Sequence, residues 1–177
     1  HNENDGTLSL TIDAQELKIK STNLSFAKNI IACCAVAREL QVEWDAIEDR
    51  IHTFTPPKGR CEVKNNGSYT IIDDSYNANL ESTLAALDYL NAFSGRGNKI
   101  FILGDMLELG DKAKTYHREI GRIAGGSGAT EVWAIGEFAE LVAEGARSQG
   151  SEVQIFKSTD SALEYVSANN RPKGELI

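Results

Sequence analysis

The stretch that decides the fold lies at residues 99–135 and reads KIFILGDMLELGDKAKTYHREIGRIAGGSGATEVWAI. It opens on an apolar run at Lys99–Leu103, continues with Tyr116 and Ile120 at helical spacing, and ends on a second apolar run at Val132–Ile135. Short apolar runs are typical of buried strands, whereas apolar residues one helical turn apart are typical of amphipathic helices. The stretch therefore predicts a strand, a helix and a second strand in succession.

The same alternation continues on both sides of this stretch. Upstream, Tyr69–Asp73 has the pattern of a strand that pairs with Cys61–Lys64 through the turn Asn65–Gly67, and a helix is expected from about Leu80 to Phe93. Downstream, the pattern predicts a helix, a strand, a helix and a strand, at Phe138–Ala146, Val153–Phe156, Ala162–Val166 and from Glu175 onward. Such alternation is typical of βαβ crossovers, so we expect an α/β fold with a doubly wound, mostly parallel, Rossmann-like sheet.

The first part of the chain is patterned differently. Apolar residues alternate through Leu8–Ile12 and again through Leu17–Ile19, which predicts a hairpin. The pattern then predicts two helices, from about Phe26 with Ser25 as its N-cap, and over Trp44–Ile51. Two prolines within Thr55–Gly59 interrupt the pattern. We therefore expect two domains, at residues 1–57 and 58–177.

Composition restricts the possible functions. Of the 177 residues, 41% are apolar and 25% are charged, which disfavours a disordered chain, a collagen-like repeat and a disulfide scaffold. No apolar run is long enough to predict a membrane-spanning helix. A net charge of -8, from 18 basic and 26 acidic residues, disfavours nucleic-acid binding. The three cysteines have no metal-ligand spacing and suit a reducing compartment, so we expect a cytoplasmic protein.

The two ends of the sequence suggest a piece of a longer protein. Residue 1 is His1 rather than methionine, and Glu175–Ile177 has the character of the opening of a buried strand. We therefore expect that the chain is excised or truncated.

Two polar loops follow apolar strands, which is where ligands bind in open α/β sheets. The first reads DDSYNAN at residues 73–79, and within it Asp74 could accept hydrogen bonds from a ribose diol. The alternative is that Asn79 caps the next helix, with Ser75 and Asn77 shaping the loop. The second loop is Leu103–Gly110, whose two glycines suit close approach of a ligand to the backbone, the alternative being an ordinary βα loop.

Other chemical signatures are missing or leave the choice open. The phosphate-binding pattern G-x-x-x-x-G-K-[ST] and the dinucleotide pattern G-x-G-x-x-G are both absent, and Gly125–Gly128 has the position of a helix C-cap and turn. His1, His52 and His117 show no metal spacing, so no metal site is expected. Arg60 either contacts a nucleotide or is a solvated hinge residue.

Together, these residues resemble the bacterial Mur ligases. The resemblance rests on Lys58-Gly59-Arg60, on IIDDSYNAN at residues 71–79, on LGDMLELG at residues 103–110, and on His117 followed by Gly121. The two longer runs are specific as a pair, and the resemblance covers nearly the whole chain. It is greatest to the branch of the family that joins D-alanyl-D-alanine to UDP-N-acetylmuramoyl-tripeptide.

The resemblance implies an ATP-dependent, three-domain ligase of peptidoglycan synthesis. Residues 1–57 would be the tail of its central ATPase domain, and residues 58–177 most of its C-terminal domain. The phosphate loop would precede His1, so ATP and Mg²⁺ would be held mainly by residues outside this chain, and the chain alone would be inactive. The implied partners are UDP-N-acetylmuramoyl-tripeptide and D-Ala-D-Ala, with no nucleic acid, no membrane insertion and a monomeric state.

The resemblance also implies which residues form the sites. The ATP-binding residues would be Asn29 near the adenine, Arg60 against the nucleotide, Asp74 at the ribose, and the loop residues Tyr76, Asn77 and Asn79. The substrate-binding residues would be Asp105, Met106, Glu108, Leu109 and His117. Four positions depart from the family: Ser25-Phe26 replaces His-Asn, Tyr76 stands where a relative has a phosphate-contacting lysine, and Leu80 replaces proline. No catalytic residue is assigned.

Three other interpretations compete with this one. Another Mur ligase, adding a diamino acid for example, would carry an Asp-Asn-Pro-Arg type run, which the sequence lacks. A non-catalytic α/β binding module would use the sheet edge and the acidic face for a protein partner, and would ignore nucleotide. A dinucleotide dehydrogenase is disfavoured by the missing glycine pattern.

Overall fold

The computed structural model describes residues 8–19, 24–54, 57–65, 69–93, 97–169 and 175–176. The chain divides into two compact units, His1–Pro57 and Lys58–Ile177. Each unit has its own buried core. The turn expected at Asn66-Gly67 lies outside the described residues.

The first unit is a hairpin covered by two helices. Strands β1 (Leu8–Ile12) and β2 (Gln15–Ile19) are antiparallel, as predicted. The turn between them holds Asp13 and Ala14 at φ values of +49° and +64°, the left-handed region that a two-residue hairpin turn requires. Helices α1 (Leu24–Glu39) and α2 (Trp44–Thr53) follow. The buried core contains Leu17, Ile19, Ala27, Ile30, Cys34 and Ile47.

One detail of this unit was predicted wrongly. Helix α1 begins at Leu24, so Ser25 lies within its first turn. An N-cap residue stands outside the helix that it caps, so Ser25 is not the N-cap of α1.

The second unit alternates strands and helices, which confirms the predicted α/β fold. In chain order its elements are β3 (Glu62–Asn65), β4 (Tyr69–Asp73), α3 (Leu80–Ala92), β5 (Ile100–Leu103), a 3₁₀ turn (Gly110–Lys112), α4 (Ala113–Gly125), β6 (Glu131–Ile135), α5 (Ala139–Arg147), β7 (Glu152–Phe156), α6 (Thr159–Ala168) and β8 (Glu175–Leu176).

The hydrogen-bonded ladders divide these strands between two sheets. Strands β5, β6 and β7 form a parallel sheet in that order. Strand β4 lies between β3, to which it is antiparallel, and β8, to which it is parallel. The alternating pattern predicted a single sheet, and the ladders of the described residues show two three-stranded sheets instead. An apolar run identifies a strand but does not specify its partner, because pairing depends on distant contacts.

The parallel sheet is covered on both faces, which explains why its strands are mostly apolar. Phe101 and Leu103 of β5 face a core shared with α3, α4 and α5. Ile100, on the same strand, faces the opposite side, where it joins Trp133 and Ala162 of α6. Helices therefore lie on both faces of this sheet, as expected of a doubly wound fold. Across the described residues, no helix has the length and apolar character needed to span a bilayer.

Candidate functional site

The first candidate site lies where β4 ends, and we call it the Arg60 corner, defined as residues 58–61 and 73–76. The backbone N–H of Tyr76 donates to the carbonyl oxygen of Gly59 at 3.1 Å. The backbone N–H of Cys61 donates to Oδ1 of Asp74 at 3.0 Å, and the Cys61 thiol also hydrogen-bonds this carboxylate. These bonds join two segments that are distant in sequence into one structure.

Gly59 allows the two segments of the corner to approach closely. Its φ is +69°, a conformation that side-chain-bearing residues adopt at a cost. A Cβ atom at this position would lie 3.1 Å from the Tyr76 backbone nitrogen. The glycine of the Lys58-Gly59-Arg60 motif is therefore needed for the shape of the corner.

Arg60 and Tyr76 form a flat, cationic surface on the corner. The Arg60 guanidinium carbon lies 4.1 Å from the centroid of the Tyr76 ring, within the range of a cation–π interaction. Arg60 is exposed, and Tyr76 is 68% exposed. The pair presents a planar charged group and an aromatic ring to solvent, which together suit stacking against a planar ligand.

The pKa values of the two adjacent carboxyl groups of the corner, Asp73 and Asp74, are shifted in opposite directions. Hydrogen bonds from Lys64 and Ser75 lower the pKa of Asp73 to about 2, from an ordinary value of 3.8. Burial raises the pKa of Asp74, against the opposing effects of the Cys61 hydrogen bonds and the Arg60 charge. Lys64 Nζ lies 2.6 Å from Asp73 Oδ2, and Ser75 donates to Asp73 Oδ1 from both its hydroxyl and its backbone N–H. Both carboxylates thus have structural partners, and Asp74 differs in being half-buried beside Arg60.

The remaining residues predicted to bind ATP are Asn29, Asn77 and Asn79. Asn79 is the N-cap of α3, as the alternative interpretation proposed. Its side chain accepts from the Ser82 backbone N–H at 2.9 Å, and the Ser82 hydroxyl accepts from the Asn79 backbone N–H at 3.0 Å. Asn77 is exposed between the corner and the helix. Asn29 is exposed on α1, in the other compact unit. Any contact of these three residues with a nucleotide stays a prediction.

The second candidate site is the 104–110 loop, Gly104–Gly110, which leaves the end of β5. Its Asp105 carboxylate accepts two backbone N–H groups, from Glu137 at 2.8 Å and from Phe138 at 2.9 Å. Gly136 precedes them with a φ of +114°, and a Cβ atom there would collide with the Asp105 carboxylate. Asp105 therefore ties its loop to the turn between β6 and α5.

Two buried side chains hold the next residue of the loop. The Met106 backbone N–H donates to Nε2 of His117 at 2.9 Å, and the Thr83 hydroxyl donates to the Met106 sulfur at 3.7 Å. Met106 is 1% exposed and His117 is fully buried, with its ring stacked on Phe138 at a centroid distance of 4.4 Å. Met106 and His117 thus shape the loop from within, and neither offers surface to a ligand in this conformation.

The tip of the loop is the part that faces solvent. Leu107 is 72% exposed, and Glu108 is exposed with a φ of +60°. Leu109 turns back and packs against the main core of the unit. Of the residues predicted to bind substrate in this loop, Glu108 is therefore the one with an exposed charged side chain.

Sequence reasoning missed the residues that hold these loops in place. They are Cys61 at the Arg60 corner, Thr83 beneath Met106, and the Gly136–Phe138 turn that receives Asp105. Gly136, directly after a strand, was the one available signal. In the described part of the chain, no group of three or more His, Cys, Asp or Glu side chains is arranged to hold a metal ion.

Comparisons with known proteins agree with this architecture. A family model described as Mur ligase, glutamate ligase domain, matches residues 59–177. The UDP-N-acetylmuramoyl-tripeptide–D-alanyl-D-alanine ligase of Bacillus subtilis is 34% identical over 116 residues, which cover 65% of this chain and 25% of that protein. The crystal structure of MurF from Acinetobacter baumannii matches with a TM-score of 0.83 and 25% identity, over 96% of this chain and 38% of that chain.

A further solved structure has the same fold. The MurF ligase from Thermotoga maritima, crystallised in complex with ADP, matches with a TM-score of 0.77 and 21% identity, over 99% of this chain and 40% of that chain. This chain thus spans between a quarter and two fifths of the length of these relatives. Because the family model covers most of the chain, from the Arg60 corner to the last residue, this chain belongs to the Mur ligase family, and residues 59–177 form the C-terminal domain of that family.

Proposed function

We propose that this chain is the C-terminal part of an ATP-dependent ligase that joins D-alanyl-D-alanine to UDP-N-acetylmuramoyl-tripeptide in peptidoglycan synthesis. The observation that carries the proposal is that the domain matched by the family model holds both motif loops directly after strands, at β4 and β5. Ligands of open α/β sheets bind at such strand ends. In this proposal, residues 1–57 belong to the central ATPase domain of the same enzyme.

The Arg60 corner is proposed to receive the nucleoside part of ATP. A guanidinium stacked on an aromatic ring offers a flat surface to a base, and a carboxylate accepts hydrogen bonds from ribose hydroxyls. Arg60, Tyr76 and Asp74 bring these groups together. The ADP bound to the Thermotoga maritima ligase supports a nucleotide as the ligand.

The tip of the 104–110 loop is proposed to lie against the acceptor dipeptide. D-Ala-D-Ala carries an amine at one end and two methyl groups, which a carboxylate and an aliphatic side chain would complement. Glu108 and Leu107 are the exposed groups of that kind on the tip. The Bacillus subtilis relative, whose name specifies this dipeptide, supports the choice of acceptor.

The proposed reaction forms an amide by way of an activated carboxylate. The γ-phosphoryl group of ATP is transferred to the terminal carboxylate of the tripeptide, giving an acyl phosphate and ADP. The amine of D-Ala-D-Ala attacks the acyl carbon, the tetrahedral intermediate expels inorganic phosphate, and the amine loses a proton. Most of the rate in such a reaction comes from positioning and from neutralisation of phosphate charge. Within that scheme, the residues of this chain bind and orient the nucleoside and the acceptor.

Mg²⁺ would supply charge neutralisation at the phosphates, and the residues of this chain do not fit that task. In the described part of the chain, no three His, Cys, Asp or Glu side chains are grouped to hold a metal ion. The sequence has a net charge of -8, which disfavours a triphosphate, and it lacks the phosphate-loop pattern. We therefore propose that Mg²⁺ and the triphosphate are held mainly by other residues of the central domain. We further propose that the enzyme acts in the cytoplasm as a monomer.

A chimeric enzyme tests the proposed function directly. Residues 59–177 would replace the matching segment of the Bacillus subtilis ligase, and ADP release would be measured with and without each substrate. We expect ADP release that requires both UDP-N-acetylmuramoyl-tripeptide and D-Ala-D-Ala. A folded chimera that ignores D-Ala-D-Ala would overturn the proposed acceptor.

Variants of the chimera test the nucleotide role of the corner. Arg60→Ala and Asp74→Ala each remove a charged contact, and we expect each to raise the KM for ATP by about tenfold. Tyr76→Phe keeps the ring beneath Arg60 and is the matched control, expected to keep the KM near its original value. If the KM for ATP were unchanged in both alanine variants, the corner would not bind nucleotide, as expected of a non-catalytic binding module.

The 177-residue chain by itself is expected not to hydrolyse ATP. Catalysis needs the phosphates and Mg²⁺ to be held, and this chain lacks the pattern that does so. The check is phosphate release from ATP by the purified chain, with the chimera as the positive control. Turnover by the chain alone at a rate comparable to the chimera would contradict the division of labour proposed here.

A further inference from the structure

Of the buried polar side chains that the structure describes in the second unit, His117 is the least exposed, and it touches the 104–110 loop from beneath. It lies on α4 with no exposed surface. Its ring stacks on Phe138, whose backbone N–H donates to the Asp105 carboxylate. The loop is thus fixed at two successive residues, Asp105 and Met106, directly before its exposed tip.

The hydrogen bonds of His117 define its tautomer. The Met106 backbone N–H can only donate, so Nε2, at 2.9 Å, must accept and carries no proton. The proton is then on Nδ1, which donates to the Ala113 carbonyl oxygen at 2.7 Å. Both ring nitrogens of the neutral side chain are therefore used, one towards its own helix and one towards the loop.

The bond to Met106 determines where the loop can turn. A buried backbone N–H that lacks an acceptor is costly, so the Met106 amide favours the conformation in which it meets Nε2. Leu107 and Glu108 follow immediately, and Glu108 is held at a φ of +60°, which non-glycine residues adopt rarely. The direction of the exposed tip thus depends on an anchor one residue before it.

We propose that His117 is a positioning residue, which acts through the Met106 backbone to hold the Leu107–Glu108 tip in the orientation that receives the acceptor. The proposal rests on the proposed function for the identity of the acceptor. It assigns His117 no contact with substrate, because the ring is fully buried. The competing explanation is that His117 merely fills the core.

Two substitutions separate positioning from packing. In His117→Gln, the side-chain oxygen reaches about as far as Nε2 and can accept from Met106. In His117→Asn, the side-chain NH₂ reaches about as far as Nδ1 and can donate to Ala113, but the acceptor for Met106 is lost. Both variants remove the ring and its stacking on Phe138. A packing role predicts similar effects for the two, whereas a positioning role predicts rescue by Gln.

The first measurement uses the 177-residue chain without substrate. Side-chain ¹⁵N NMR of His117 should show a protonated Nδ1 and an unprotonated Nε2. Amide hydrogen exchange at Met106 should be about tenfold faster in His117→Asn than in wild type, and close to wild type in His117→Gln. His52→Asn, which removes an exposed histidine of the first unit, is the control and should leave this exchange unchanged. Equal Met106 exchange in wild type and both variants, or loss of the folded spectrum in both, overturns the proposal.

The second measurement uses the chimera and reads the acceptor site. His117→Asn should raise the KM for D-Ala-D-Ala by about tenfold and leave the KM for ATP unchanged. In His117→Gln, the KM for D-Ala-D-Ala should stay close to the wild-type value. An equal rise in both KM values would overturn positioning of the acceptor tip. An inactive wild-type chimera would instead overturn the proposed function, and the exchange experiment would still decide whether His117 anchors the loop.

Discussion

At the scale of single residues, Gly136 leaves room for the Asp105 carboxylate because it has no side chain. Its φ of +114° and the collision that a Cβ atom would make with Asp105 both require glycine. We expect Gly136→Ala to lower the free energy of unfolding by about 3 kcal/mol, because it adds backbone strain and displaces a carboxylate that accepts two backbone N–H groups. Urea denaturation of the full chain measures this change.

The control for this prediction is Gly110→Ala. Gly110 also has a positive φ, +53°, but a Cβ atom there would meet nothing within 4 Å. We therefore expect Gly110→Ala to lower the free energy of unfolding by about 1 kcal/mol, from backbone strain alone. Equal costs at the two positions would mean that the Asp105 contacts contribute nothing beyond backbone strain.

Asp73 gives a prediction about pH at the same scale. Its pKa is lowered to about 2, first by the hydrogen bond from Lys64. A carboxyl whose pKa is depressed on folding stabilises the native state above its unfolded value, here 3.8, and this contribution disappears as the pH falls towards 2. We expect Lys64→Met to raise the Asp73 pKa towards 3.8, as measured by carboxyl ¹³C NMR.

Stability measurements check the same ion pair independently. The difference in unfolding free energy between wild type and Lys64→Met should be present at pH 6 and should shrink as the pH falls from 4 towards 2. Lys157→Met removes a lysine remote in sequence, at the end of β7, and should leave the Asp73 pKa unchanged. An Asp73 pKa that stays near 2 without Lys64 would show that the Ser75 hydrogen bonds alone depress it.

At the scale of elements, helices α4 and α5 pack so closely that glycines form their interface. A Cβ atom on Gly121 would collide with the Val142 carbonyl, and one on Gly145 with the Arg118 carbonyl. We expect Gly121→Ala to destabilise the chain by about 2–3 kcal/mol, because the helices would have to separate. Thermal and urea unfolding both report this loss.

Gly126, at the C-terminal cap of the same helix, is the matched control. Its φ of -84° is available to any residue, and a Cβ atom there would make only ordinary contacts of 3.5 Å. Gly126→Ala should stabilise the chain slightly, by about 0.5 kcal/mol, since it restricts the unfolded state. A loss of stability in Gly126→Ala as large as that in Gly121→Ala would contradict helix separation as the cause, since alanine has the higher helix propensity and Gly126 has no close neighbour.

The elements themselves could be predicted because their signals are local. The apolar runs at β5, β6 and β7 and the helical spacing in α3 and α4 follow from residues near one another in sequence. Asn79 was weighed correctly as a cap, since its bond to Ser82 is also local. These predictions needed no knowledge of how distant segments meet.

The functions of individual side chains depended on distant contacts and could not be predicted. Asp105 has the appearance of a free acid in its motif, yet it is bound to backbone groups about thirty residues away. The family resemblance implied substrate binding by His117, yet its ring is buried beneath Met106. Likewise, nothing in the apolar pattern indicated that the described strands of the second unit would divide between two sheets.

At the scale of the whole molecule, each of the two compact units is buried around its own set of residues. The first unit, residues 1–57, is buried around Leu17, Ile30 and Ile47. The second unit has its own larger core around β5 and β6. Because a unit of this small size buries a smaller fraction of its surface than a larger one, the first unit should be the less stable of the two.

Leu17→Ala tests this independence. Leu17 is 2% exposed, and its truncation should lower the free energy of unfolding of the first unit by about 2–4 kcal/mol. A loss of this size should largely unfold a marginally stable unit. We expect amide exchange to accelerate throughout β1, β2 and α1, while the protected amides of β5 and β6 keep their wild-type rates. The reciprocal variant Val132→Ala, in the core of the second unit, should accelerate exchange in β5 and β6 and leave β2 unchanged. If either substitution accelerated exchange in both units alike, the chain would unfold as one cooperative body and its two cores would not be independently stable.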